Sequence, residues 1–121
     1  MKLHLMQEAG LQLFSGYGDG FVAVNDVRYE KCVVVSPRAV IEWAVSGFDA
    51  LTVADFGFLE SLKPEIMILG TGAAQRFPRP ELARVLAATG VGVEVMDSRA
   101  ACRTYNILAS EGRKVVAAIL T

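Results

Sequence analysis

Histidine is nearly missing from this sequence. The 121 residues hold one, His4, and two cysteines, Cys32 and Cys102. That is too few for a clustered His/Cys metal site, so no metal and no cofactor is expected. The scarcity also removes the usual imidazole base of nucleophilic catalysis, because His4 stands at the far start of the chain. Charge of one sign is lacking too. Lysine and arginine number 12 against 13 acids, for a net charge of -1. Such a balance leaves no broad basic footprint, so no nucleic acid partner is expected. No stretch approaches the roughly 18 apolar residues of a transmembrane segment. The opening MKLHLMQEAG lacks the apolar run of a signal sequence. We therefore expect a cytoplasmic protein whose thiols stay free in a reducing compartment. Internal repeats, low-complexity tracts and linkers are absent as well, which leaves residues 1–121 as one domain.

What is abundant is apolar. Hydrophobic residues make up 53% of the chain and charged residues 21%. A domain with this balance either buries most of a central sheet or lends apolar surface to a partner.

The first half reads as β. LQLFSGYGDGFVAV carries two apolar runs around Gly16, Gly18, Asp19 and Gly20, a hairpin signal, and Asn25-Asp26 makes a second turn. The unbroken run Cys32 to Val35 suggests a strand buried on both faces, ended by Pro37. AVIEWAV alternates and is read as a further strand. Thr52 and Asp55 form a capping-box pattern before a short helix reaching about Leu62, which Gly57 weakens. From Pro64 the pattern changes. EIMILG is a short buried strand, TGAAQRFPR a loop, and Pro80 starts a helix that Gly90 stops. VGVEVM alternates as a strand, Asp97 and Ser98 cap a helix running to Gly112, and KVVAAIL is the last strand. Strands alternating with helices predict a βαβαβ unit with parallel pairing. The fold class is α/β: a single three-layer domain with a mixed central sheet, a β-rich N-terminal half and a C-terminal βαβαβ unit.

Several residues invite a chemical reading, and each has a plainer one. Gly70, Thr71 and Gly72 follow a buried strand, with Asp97 and Ser98 after the next. Glycine amides, helix starts and the cations Arg76, Arg79 and Arg99 would suit an anion or small ligand. Yet Gly-Thr-Gly is also a common tight turn, and its spacing matches neither a Rossmann loop nor a P-loop. Cys102 lies near a helix start between Arg99 and Arg103, a setting that can lower a thiol pKa. It can equally be a small core residue. Glu94, Asp97, Glu111 and Asp55 do not form an evident catalytic pair, and Asp97 reads as a cap. Thr104 and Asn106 are weak helix formers in mid-helix, which points to a tertiary role, with the LGTG loop as the expected partner. Tyr105 shares a face with Ala101 and Leu108 and reads as core, its hydroxyl bonded to a neighbour. Trp43 and Phe48 are candidates for a partner surface if exposed and for core if not.

PEIMILGTG (64–72) and GVGVEVMDSRAACRTYNILASEGRKVVAAIL (90–120) carry a family resemblance. The chain resembles the small family that includes mitochondrial complex I assembly factor three and the adipogenesis-associated human relative. The likeness covers nearly the whole chain, and those two blocks hold most of its specificity. It implies a three-layer α/β fold with a mixed sheet, protein partners, and an association with membrane-complex biogenesis. It supplies no catalytic residues. The function expected is therefore a non-catalytic binding or assembly domain. The alternative is an enzyme acting on a small molecule or anion in the Gly70-Thr71-Gly72 crevice.

Overall fold

The computed structural model describes residues 10–121. His4 and most of the opening segment lie outside the described residues. Three short strands come first: β1 (Phe14–Gly18), β2 (Phe21–Val24) and β3 (Val27–Tyr29). They pair antiparallel in the order β1-β2-β3. The turn between β2 and β3 is Asn25-Asp26, with φ of 47° and 69°. A two-residue hairpin needs that left-handed pair, and Asn and Asp tolerate it better than other side chains.

A second sheet follows. Its strands are β4 (Val33–Ser36), β5 (Ala39–Glu42), β6 (Ile66–Gly70), β7 (Gly92–Met96) and β8 (Val115–Ile119), in the order β5-β4-β8-β6-β7. β6 runs parallel to β7 and β8, while β4 is antiparallel to β5 and β8. The sheet is therefore mixed, and the βαβαβ unit is present. Its helices are α2 (Pro80–Ala87) and α3 (Ser98–Ser110); α1 (Val53–Ser61) precedes it, after a short 3-10 turn at Phe48–Ala50. Thr52 and Asp55 form the reciprocal capping box of α1.

Strand alternation sorts the core into two layers. Val33, Val35, Ile68, Ala117 and Ile119 point to the side holding α3 and the small sheet. Val34, Met67, Leu69, Val116 and Ala118 point to the side holding α1 and α2. Every residue of β8 is buried, as expected for the middle strand. One element falls short of its expected length: AVIEWAV is strand only through Glu42. Trp43 still donates its amide to the Cys32 carbonyl at 2.8 Å. β4 begins at Val33, so no neighbouring strand lies opposite Ala44 and Val45, and the Val45 amide turns back to the Trp43 carbonyl at 2.7 Å.

Candidate functional site

The residues of the Gly70-Thr71-Gly72 crevice form a set of joints. Gly70 closes β6 against the start of α3. A Cβ there would meet Ile119 Cδ1 at 2.9 Å, Ser98 Oγ at 3.0 Å and Ala101 Cβ at 3.1 Å, so the close approach requires glycine. The Ser98 hydroxyl donates to the Leu120 carbonyl at 2.7 Å and accepts the Gly72 amide at 2.8 Å. The Ser98 amide returns a bond to the Gly72 carbonyl at 2.8 Å, and the Thr71 amide goes to the Met96 carbonyl at 2.9 Å. The Thr71 hydroxyl donates to the Ala74 carbonyl and accepts the Arg76 amide. The Thr71 and Gly72 amides are thus consumed inside the protein, and the loop offers no such pair to an anion. Asp97 acts as the cap of α3, accepting the Ala100 amide at 2.9 Å.

The three arginines do not converge. Arg76 reaches Asp49 at 2.8 Å and lies 4.1 Å over the Phe48 ring. Arg79 pairs with Glu81 and donates to the Leu51 carbonyl. Arg99 turns to the opposite face of the sheet, towards Asp19 at 3.5 Å and Tyr17. Cys102 is 1% exposed, among Ala101, Tyr105 and the inner residues of the sheet. Burial pushes its thiol up to about 12; Asp97 adds to the rise and the Arg103 cation opposes it. Cys32 is also buried and free, but packs on the other face of the sheet, so the two thiols do not meet.

Thr104 and Asn106 were expected to serve the LGTG loop. Asn106 does have a tertiary role, but elsewhere. Its amide donates to the Phe14 carbonyl at 2.8 Å, and its carbonyl accepts the Phe14 amide at 2.8 Å. This side chain imitates a strand partner and ties α3 to β1. Tyr105 donates its hydroxyl to the Gln12 carbonyl at 2.8 Å, and its ring packs edge-on to Phe14.

Of the two surface candidates, Trp43 is 5% exposed and belongs to the core. Phe48 is half-buried beneath Arg76. A group of outward-facing apolar residues lies instead on α1, besides exposed side chains such as Phe77 and Ile107 elsewhere. Phe56 and Leu59 face the core, while Val53, Ala54 and Phe58 are exposed and Gly57 sits among them. Val53 is 53% exposed. A Cβ added to Gly57 would meet no atom within 4 Å. The sequence TVADFGFLES held this signal, since helical spacing sets Val53, Ala54 and Phe58 on the side opposite Phe56 and Leu59.

Comparison with known proteins gives this arrangement its relatives. Residues 14–120 match the family described as "Protein of unknown function (DUF498/DUF598)". The cattle (Bos taurus) protein named NADH dehydrogenase [ubiquinone] 1 alpha subcomplex assembly factor 3 is 32% identical over 120 residues, covering 96% of this chain and 65% of that protein. The chain thus spans less than two thirds of that relative's length. A Francisella tularensis protein named "13 kDa major membrane protein" is 29% identical, covering 95% of this chain and 98% of that one. A crystal structure from Bordetella parapertussis superposes with a TM-score of 0.87 at 42% identity, covering 92% of this chain and 96% of that one. Among the described residues of the present chain, no helix is long and apolar enough to cross a membrane. The family pattern spans nearly all of both sheets and every helix, and the chain belongs to this DUF498/DUF598 family, whose relatives include the complex I assembly factor 3 proteins.

Proposed function

We propose that this chain is a single, non-catalytic binding or assembly domain that works in the cytoplasm and docks a protein partner on the outward face of α1. Gly57 carries the reading. Glycine in mid-helix costs about 0.5–1 kcal/mol relative to alanine. Nothing inside the protein requires it, since the space around a Cβ is open. A backbone left bare at this point is open to a partner from outside the chain. A partner that approaches the backbone at Gly57, between Val53, Ala54 and Phe58, explains both the missing side chain and the apolar surroundings. The assembly factors among its relatives support protein partners and a place in the biogenesis of membrane complexes. The name of the Francisella relative fits a domain that works beside a membrane.

Affinity capture from native lysate, followed by mass spectrometry, tests the reading with wild type and Gly57→Lys. The wild type should retain a defined set of proteins that the variant loses, with the variant at least as heat-stable as its parent. Identical capture by both would remove α1 as the docking face.

A further inference from the structure

A second surface has a different character. β4 pairs with β8 only as far as Val35 and Ala117. Beyond that point the chain turns through Pro37 and Arg38 into β5, and the strand ends part. The gap is a cleft of about 620 Å³. Its floor is apolar, with Ile41 and Leu62 reaching the surface over the buried Val34 and Val116. The register places Val34 beside Ile41 and beside Ala118, so these side chains share the face on which α1 packs.

The rim is cationic. Arg38 stands on the β4–β5 turn, and Arg113 and Lys114 on the turn into β8. Among the described residues no acidic side chain lines the cleft. Glu65 holds Arg113 at 3.3 Å, while Arg38 and Lys114 have no carboxylate partner among the described residues. In a chain whose charges nearly cancel, this local asymmetry selects the occupant. A free inorganic anion would gain nothing from the floor, and an uncharged hydrocarbon nothing from the rim. The size lies within the roughly 300–1,000 Å³ of small-molecule sites, which combine apolar walls with a few polar anchors. The geometry points to a binding site for a single-chain anionic amphiphile, an acyl chain ending in a carboxylate, with the chain on the Ile41–Leu62 floor and the carboxylate between Arg38 and Lys114.

Titration of the full chain with dodecanoate, below its micelle concentration and followed by amide NMR, tests this. Dodecyltrimethylammonium and acetate serve as the matched cation and the bare anion. Shifts from dodecanoate should cluster at 36–41 and 112–116. The doubly substituted Arg38→Glu, Lys114→Glu protein should bind dodecanoate at least about tenfold more weakly. Both side chains sit on exposed residues, so the fold should tolerate the exchange. The cationic amphiphile should bind poorly to the wild type and better to the variant. Equal binding of both amphiphiles would reduce the cleft to a nonspecific apolar patch. Acetate reproducing the shifts would reduce it to an anion contact, and shifts elsewhere would remove the site. Each of these three results overturns the proposal.

Discussion

Asn106 and Phe14 are joined by two hydrogen bonds across 92 positions of sequence. Removing the side chain strands a backbone donor and an acceptor in a part-buried joint. Asn106→Ala should therefore destabilise the protein by about 2–3 kcal/mol in urea unfolding, far more than a surface change. Cys102 yields a second expectation. Its thiol is held at about 12 in the folded state, chiefly by burial. An unfolded thiol titrates near about 8.5. Between those values the unfolded chain has released a proton that the folded chain keeps. The stabilisation is thus complete below the ordinary thiol range and is lost as pH rises through it towards about 12. Stability should fall by about 1.4 kcal/mol per pH unit in this window, with a steeper fall once Tyr105, also raised by burial, begins to contribute. Cys102→Ala should flatten the first part of that slope, and native Cys102 should react slowly with thiol reagents at neutral pH. Fast labelling would contradict the buried, protonated thiol.

At the scale of elements, the sequence was legible where one periodicity or one cap decides the outcome. Val33 to Val35 formed the doubly buried strand that an unbroken apolar run implies. Thr52 and Asp55 formed their capping box, and Asp97 its cap. Partners remote in sequence were not legible. AVIEWAV alternates through Val45, but a strand ends where its neighbour does, and β4 begins only at Val33. The mid-helix position of Asn106 announced a tertiary bond without saying to what. The LGTG loop looked like a cradle because glycine permits close approach, and the approach is that of α3. Gly70→Ala should accordingly cost about 1–3 kcal/mol through overpacking against Ile119, Ser98 and Ala101. Gly57→Ala in α1 should do the reverse and stabilise by about 0.5–1 kcal/mol, because the added methyl meets open space. Thermal unfolding of the two variants side by side separates a glycine needed by the fold from one that is not.

Across the whole molecule, the polar residues nearest the LGTG loop and the start of α3 are turned inward. Cys102, Tyr105, Ser98 and Thr71 complete the joints between the sheet, α3 and the first hairpins, and Cys32 is buried on the opposite face. Glu65 is exposed, and its carboxyl is held below the usual range by the Lys114 amide and then Arg113, which makes it a brace for the turn before β8. Two outward features are the exposed face of α1 and the cationic cleft beside β5. Photo-crosslinking inside the cell addresses the first of these most directly. A photoreactive residue at Ala54, on the exposed face, is compared with one at Glu111, an exposed position beyond the end of α3. A discrete higher-mass adduct is expected from position 54, absent from position 111 and abolished by Gly57→Lys. No adduct from position 54, or one that survives Gly57→Lys, would contradict docking on α1.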